Sequence, residues 1–240
     1  GELGSCNVYT LGGMRPSRDG GDAEPWVSIL NPKGGWGGMA SKDGWTCIQD
    51  PLSNCRNQPC ESLEHVFPFR VRQFSLRTGI EGAGEHRGGY GIARDIEVTT
   101  DCVVSTCLDR SVIPPFGLFG GADGACNTMF VRRRGAAEFE PLASRQSNFP
   151  LKAGDVVRIH TAIGGGFGDP LERDPQAVAE DVRDEYLPDR RAAEEIFAVV
   201  LDDAGEVDAP ATAARREQLR GARDGSNGAA HERVPTFVPA

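Results

Sequence analysis

The sequence predicts an α+β protein in which a β-rich core of short, mainly antiparallel strands with long glycine-rich loops is followed by C-terminal helices. Three observations support this prediction. Short strand-like segments recur at near-regular spacing over residues 61–168, with glycine-bearing turns between them. Apolar residues recur at helical spacing after residue 168. Stretches such as GLFGGADG at 117–124 are too glycine-rich for a helix or strand interior, where each glycine costs about 0.5–1 kcal/mol relative to alanine.

Residues 1–60 are predicted to form a loop-rich segment that packs on a partner chain. This segment is dense in Gly, Pro, Asp, Asn and Ser and has almost no periodic apolar pattern. So long an irregular run seldom begins a domain unless it lies against something else. Trp26, Trp36 and Trp45 indicate packed loops, because disordered segments are poor in aromatic residues.

Residues 61–168 are predicted to form the β-rich core. The segment HVFPFRVRQFSL alternates in its second half, which places Phe69, Val71, Gln73 and Ser75 on one face. Further strand segments are GIARDIEVTT, CVVSTCL, NTMFVRRR and DVVRIHTAI. Turns with glycine between such segments are typical of antiparallel sheets.

Residues 169–224 are predicted to form the C-terminal helices. Asp174 and Pro175 are a good N-cap and first-turn pair, and a second helix is expected over residues 189–201. A third is expected from Ala211 to about Ala222. The tail, residues 225–240, has no apolar period and is expected to be disordered or bound to a partner.

Composition and charge narrow the classes of function. The formal net charge of −9 disfavours binding to nucleic acid or to an anionic membrane surface. No stretch approaches the roughly 18 consecutive apolar residues of a membrane span, and the first thirty residues lack the pattern of a signal peptide. We therefore expect a cytoplasmic protein with no membrane partner.

Cysteines and histidines do not define a metal site by their spacing. Seven cysteines are an odd set in a chain too large to need disulfides, which is consistent with reduced thiols. Cys47, Cys55 and Cys60 are close in sequence and are either zinc ligands or ordinary buried or loop thiols. Among the scattered histidines, His86 is the best candidate for a functional side chain, because it lies in the glycine-rich turn EGAGEHRGGYG.

Two features of the core leave a choice between a functional and a structural role. The glycine loops around residues 117–124 and 163–168 either cradle an anion with their N–H groups or form tight turns where backbones approach closely. Asp109 and Arg110 follow the apolar strand CVVSTCL and precede two prolines. Such a pair either orients a substrate carboxylate or fixes the loop through a charge-assisted hydrogen bond.

Five long motifs occur in order over most of the chain. They are GGMRPSRDGGD, NQPCESLEHVFPFRVRQFSLRTGIEGAGEHRGGYGIARDIEV, LDRSVIPPFGLFGGADG, LKAGDVVRIHTAIGGGFGDPLERDP and VRDEYLPDRRAAEEIFAVVL. Together they resemble the C-terminal portion of the B-type subunit of the hydantoinase B/5-oxoprolinase family, to which subunits of acetone and acetophenone carboxylases are related.

This resemblance implies a hetero-oligomeric enzyme that acts on a small molecule, with the isolated chain inactive. The expected partners are a hydantoinase A-type ATPase subunit and the missing N-terminal half of the B-type subunit. The expected cofactors are ATP with Mg on the A-type subunit and a divalent metal (Zn, Mn or Fe) on the missing half. No metal ligand is assigned to the present chain.

Two reactions are compatible with the resemblance. One is ATP-dependent hydrolysis of a cyclic amide C–N bond through a phosphorylated intermediate, which the RGGYG and GGGFGDPLERDP segments favour. The other is ATP-dependent carboxylation of a ketone of the acetone or acetophenone type. A third possibility is a noncatalytic structural subunit, since the residues of this chain do not by themselves form a closed catalytic constellation.

The resemblance places candidate site residues at the motif positions. The candidate catalytic residues are Asp109, Arg110, His86 and Arg87. The expected substrate- or phosphate-binding loop residues are Gly120, Gly121, Gly164, Gly165 and Gly166. These loops are expected to line an active-site chamber that another chain completes.

Overall fold

The computed structural model describes residues 1, 4, 7–17, 19–49 and 56–226. Its strands form two antiparallel sheets. One sheet contains β1 (Asn7–Arg15), β2 (Glu24–Leu30), β5 (Cys102–Leu108) and β8 (Arg145–Leu151), in the order β2-β1-β5-β8. The other contains β3 (Phe69–Arg77), β4 (Gly91–Val98), β6 (Thr128–Arg132), β7 (Glu140–Leu142) and β9 (Val156–His160), in the order β3-β4-β9-β6-β7. Tyr9 pairs with Thr106 in the first sheet and Arg94 with Ile159 in the second.

One apolar core joins the two sheets. Alternate residues of β5 point inward, so that Cys102, Val104, Thr106 and Leu108 are buried. Each strand contributes to this core, as shown by Tyr9, Trp26, Phe69, Ile96, Val104, Met129, Leu142, Leu151 and Ile159. The sheets therefore pack face to face and hold the loops between the strands at fixed positions.

Four helices complete the described fold: α1 (Cys60–Val66), α2 (Pro175–Arg183), α3 (Arg190–Phe197) and α4 (Ala209–Ser226). Asp174 caps α2 by accepting from Gln176 N, and Asp189 caps α3 by accepting from Ala192 N. The apolar faces of α2 and α3 form a second core that includes Val178 and Phe197. Within the described residues, no helix combines the length and apolar character needed to cross a membrane. The predicted α+β class is confirmed.

Residues 1–60 contain two strands that the sequence pattern did not predict. In β2 the inward residues Trp26 and Leu30 are separated by the outward residues Val27 and Ile29, which are also apolar, so polar and apolar residues do not alternate. In β1 the pair Gly12 and Gly13 suggests a turn. The expected packing of this segment on a partner remains a prediction. Most of the predicted tail lies outside the described residues.

The region from residue 61 to residue 77 also differs from the predicted pattern. The short helix α1 precedes β3, where only strands were expected. In β3, a bulge between Val71 and Gln73 interrupts the pairing with β4. Phe74 and Leu76 therefore join the face of Phe69 and Val71, and the predicted grouping with Gln73 and Ser75 is wrong.

Candidate functional site

The glycine-rich loops pack against one another as extended backbone. We define the glycine layer as residues 34–38, 82–91, 117–124 and 163–168. Gly35 N donates to Ala162 O at 2.9 Å, and Gly89 N donates to Trp36 O at 2.7 Å. A Cβ atom on Gly35 would overlap the carbonyl oxygen of Gly89. The absence of side chains is what allows these backbones to approach so closely.

The predicted loop glycines occupy two different environments. Gly164, Gly165 and Gly166 are buried, and their N–H groups donate to the carbonyls of Gly89, Gly1 and Ala122. Gly121 is partly buried and donates to Leu118 O, while Gly120 is exposed with a φ of 97°. Backbone packing thus accounts for the conformation at residues 164–166. Contact of these five glycines with a substrate remains a prediction.

Asp109 and Arg110 form a turn where β5 ends. Arg110 has a φ of 47°, in the left-handed region that residues other than glycine rarely adopt. Its carbonyl accepts from Asn127 N at 2.8 Å, and the Asp109 carbonyl accepts from Asn127 Nδ2 at 2.7 Å. Because Asn127 donates a hydrogen bond to each of these carbonyls, it stabilises the unusual backbone conformation at Arg110.

Asn127 is a structural determinant of this turn that sequence reasoning missed. It is 1% exposed, its Nδ2 also donates to Asn7 Oδ1 at 3.0 Å, and its Oδ1 accepts from Ala162 N at 2.7 Å. It therefore connects the turn to β1 and to the segment entering the glycine layer. A single asparagine in the segment ACNTMF has the pattern of an ordinary turn residue, so only its burial reveals this role.

The turn opens into a cavity of about 590 Å³. Its lining residues are Gly4, Leu108, Asp109, Arg110, Ser111, Val112, Ile113, Ser144 and Arg145. Arg145 Nη2 lies 4.0 Å from Asp109 Oδ1, and the Arg110 guanidinium lies over the Phe116 ring at 5.7 Å. In such a cavity, guanidinium groups can bind an anion, and the Asp109 carboxylate can accept a proton.

His86 and Arg87 belong to the glycine layer, in its segment of residues 82–91, and not to the Asp109–Arg110 turn. The His86 backbone exchanges two hydrogen bonds with Phe167, at 3.0 and 2.9 Å. His86 lines a second cavity of about 400 Å³, together with Asp43, Glu85, Glu172, Arg173, Asp174 and Ala177. Asp109 and Arg110 thus line the first cavity and His86 the second, whereas Arg87 lines neither.

Arg87 belongs to a charge cluster, which we define as Asp43, Arg87, Arg173 and Asp181. Arg173 donates to both oxygens of Asp43, at 2.7 and 2.8 Å, and to Asp181 Oδ2 at 2.9 Å. Arg87 Nε lies 3.2 Å from both oxygens of Asp181 and 3.6 Å from Asp43 Oδ2. The cluster connects the glycine layer to α2, because Asp181 lies on that helix.

Burial and pairing act in opposite directions on Asp43. Burial raises the pKa of its carboxyl, but the hydrogen bonds and charge of Arg173, together with Arg87, outweigh burial and hold the pKa below its usual value. The side chains of Arg173 and Asp181 are only 4% and 7% exposed. The geometry of Arg87 is thus that of a buried ion pair, and a catalytic role for it remains a prediction.

The described cysteines do not form a metal site. Within the described part of the chain, no group of three or more His, Cys, Asp or Glu side chains is arranged to hold a metal ion. Cys55 lies outside the described residues, so the suggested cluster with Cys47 and Cys60 stays untested as a whole. Cys47 and Cys60 are free thiols.

We expect the cysteines to differ strongly in reactivity. Cys107 is exposed on β5, whereas burial raises the pKa of Cys47 to about 11 and, with Asp101 and Asp155 nearby, that of Cys102 to about 12. Because the thiolate is the nucleophile, iodoacetamide at pH 8 should modify Cys107 at least about tenfold faster than either buried thiol. Peptide mass spectrometry over a time course measures this. Equal rates at Cys47 and Cys107 would contradict the described burial.

The part of the chain that forms the two sheets and the glycine layer also matches known proteins. A family model described as Hydantoinase B/oxoprolinase matches residues 1–170, which include both sheets and the glycine layer. A protein of Pseudomonas sp. strain NS671, named as the B-type subunit of a D-/L-hydantoinase, is 31% identical over 183 residues, covering 76% of this chain and 31% of that protein.

Two solved structures share the fold. The ATP-dependent caprolactamase from Pseudomonas jessenii superposes with a TM-score of 0.73 at 24% identity, over 90% of this chain and 38% of that one. A nucleotide-free acetone carboxylase also superposes with a TM-score of 0.73, at 22% identity, over 98% of this chain and 34% of that one. The chain thus spans about a third of the length of each of these three proteins. Because the family model covers well over half of it, this chain belongs to the hydantoinase B/oxoprolinase family.

Proposed function

We propose that this chain is part of an ATP-dependent amidohydrolase complex that hydrolyses the C–N bond of a cyclic amide through a phosphorylated intermediate. The observation that carries the proposal is the cavity at the end of β5, which is lined by Asp109 and Arg110 of the turn and by Arg145 of β8. Family membership and a relative named as part of a hydantoinase support hydrolysis. The likeness to acetone carboxylase is at 22% identity and supports the fold alone.

In the proposed reaction, phosphorylation of the amide oxygen makes the carbonyl carbon more electrophilic. Water then adds to this carbon, the ring C–N bond breaks, and the nitrogen leaves with a proton. The acyl phosphate that remains is hydrolysed by a second water to the carboxylate and inorganic phosphate. Asp109 accepts a proton from the attacking water, and Arg110 with Arg145 neutralises the phosphoryl oxygens. His86 lines the second cavity and Arg87 is paired with Asp181 in the charge cluster, so we assign them no step.

The complex requires further components. We propose an A-type ATPase subunit that binds ATP with Mg, and an N-terminal half of the B-type subunit that completes the site. The divalent metal that the family implies would bind on that half. The described residues of this chain show no ligand group for it, so no step here is assigned to a metal.

Purification under mild conditions from the native source tests the proposed assembly. Mass spectrometry of the purified material should identify an actin-like ATPase subunit and a second hydantoinase B-type segment together with this chain. A chain that is alone, monomeric and folded would contradict the proposal.

Asp109→Asn should separate a catalytic role from a structural one. The substitution keeps the shape of the side chain and leaves the backbone hydrogen bonds of Asn127 in place. We expect assembly and thermal stability to be unchanged and kcat of the complex to fall about 10²–10⁴-fold, as for loss of a general base. The matched control is Asp101→Asn, because Asp101 is an exposed carboxylate paired with Lys152. Loss of assembly with Asp109→Asn would instead support a noncatalytic structural subunit.

A further inference from the structure

The most exposed apolar stretch among the described residues lies next to the Asp109–Arg110 turn. We define the apolar loop as residues 112–119, with the sequence VIPPFGLF. Val112, Phe119 and Ile113 are 85%, 78% and 69% exposed, and Phe116 and Leu118 are also exposed. Single exposed apolar residues are ordinary, but several in one short segment indicate a contact surface.

This loop is held in place, so its exposure is a property of the folded chain. Leu118 N donates to Gly166 O, and Gly168 N donates to Leu118 O, both at 2.9 Å. Gly124 N donates to Pro115 O at 2.7 Å, and Pro114 and Pro115 restrict the backbone further. The Phe119 ring lies 5.1 Å from that of Phe167. A prearranged apolar surface loses little conformational entropy when a partner covers it.

The chemistry of the loop favours a permanent protein partner. None of its eight residues is charged, although the chain as a whole carries a net charge of −9. Permanent interfaces are more apolar than transient ones and are depleted in charged residues at their centre. About two thirds of the length of the hydantoinase and caprolactamase relatives has no counterpart in this chain, and in each of them that remainder and the matching part belong to one polypeptide.

The position of the loop connects it to the candidate site. Val112 and Ile113 line the same cavity as Asp109 and Arg110. A partner that covers these two side chains therefore also separates the cavity from bulk water, which strengthens electrostatic interactions inside it.

We propose that the apolar loop is the surface on which the remainder of the B-type subunit packs, and that this packing closes the cavity over Asp109 and Arg110. The inference rests on the proposed function, because it takes its partner from there.

Photo-crosslinking in the native organism tests this inference. Phe119 is replaced by p-benzoylphenylalanine in the full chain, the complex is irradiated, and crosslinked peptides are identified by mass spectrometry. We expect a crosslink from position 119 to a peptide of the other B-type segment. The matched control is the same replacement at Phe74, an exposed aromatic residue on β3, which should not crosslink to that peptide.

Charged substitutions provide a second measurement. Val112→Asp combined with Phe119→Asp should reduce recovery of the B-type segment at least about tenfold, as expected for central interface residues. Leu76→Asp combined with Ile80→Asp, which are exposed apolar residues outside residues 1–60, should leave recovery unchanged. If each purified variant unfolds at the same temperature as the wild type, misfolding is excluded as the cause of a reduced recovery.

The possible outcomes separate this inference from the proposed function. A crosslink to an A-type subunit or to a second copy of this chain, or no crosslink at all, overturns the inference. If the B-type segment is present in the complex but contacts other positions, only the surface assignment fails. If no B-type segment is present in the complex, the proposed assembly fails as well.

Discussion

The Arg173→Met variant is expected to unfold with a free energy about 3–5 kcal/mol lower than that of the wild type. Arg173 is the central cation of the charge cluster, donating to both Asp43 and Asp181. Methionine fills similar space but leaves two carboxylates with Arg87 as the remaining cation of the cluster. Removing one partner of a buried ion pair leaves charge buried without compensation, and this accounts for the expected size of the effect.

Urea unfolding followed by far-ultraviolet circular dichroism measures this loss. The control is Arg183→Met on α2, where the side chain is 64% exposed and its pairs with Glu180 and Asp184 are long. Exposed pairs contribute about 0–1 kcal/mol, so the control should unfold almost as the wild type does. A loss below about 1 kcal/mol for Arg173→Met would show that the cluster does not hold α2 against the glycine layer.

The same cluster predicts a pH dependence. Since the pKa of Asp43 is lower in the folded state than in the unfolded chain, its stabilising contribution is complete above the ordinary carboxyl pKa. The contribution is lost as the pH falls through the folded-state pKa. Part of the wild-type stability should therefore disappear below about pH 4, and Arg173→Met should show a smaller loss over that range.

The Gly35→Ala variant is expected to lose at least about 3 kcal/mol of stability, or to fail to fold. The added Cβ would overlap the carbonyl oxygen of Gly89 and lie 2.7 Å from Gly164 N. Both neighbours are backbone atoms within the hydrogen-bonded glycine layer, so neither can rotate away as a side chain would. The cost therefore lies at or above the upper end of the range for overpacked sites.

Gly221→Ala is the matched control, because Gly221 lies on α4 and a Cβ there meets no atom within 4 Å. Alanine is the better helix former, so this variant should gain about 0.5–1 kcal/mol. Chemical unfolding of both variants gives the comparison. Similar stabilities for the two alanine variants would mean that the close approach in the glycine layer is not a constraint.

Local patterns were sufficient to predict much of the fold. The strands of residues 61–168 and the helices after Asp174 follow from alternation, helical spacing and capping residues, which are local signals. The strands β1 and β2 were missed because their apolar residues do not alternate with polar ones and because glycines interrupt β1. The strand β1 pairs with β5, about ninety residues away along the chain, and β2 pairs with β1.

The candidate site was only partly predictable for the same reason. The turn at Asp109 and Arg110 was identified from its place after an apolar strand. Its support by Asn127 was not, because a buried hydrogen-bonding role has no sequence pattern. Arg87 was selected from its motif, but its partner Asp181 lies 94 residues away, on a helix that only tertiary packing brings close.

The most direct test of the proposed function is an assay of the purified native complex. Hydantoins, 5-oxoproline, caprolactam and acetone would each be supplied with labelled bicarbonate, with and without ATP, and both ring-opened product and fixed label would be quantified. We expect ATP-dependent ring opening of a cyclic amide, with no label incorporated. Incorporation of labelled bicarbonate into acetone, or ring opening that does not require ATP, would contradict the account.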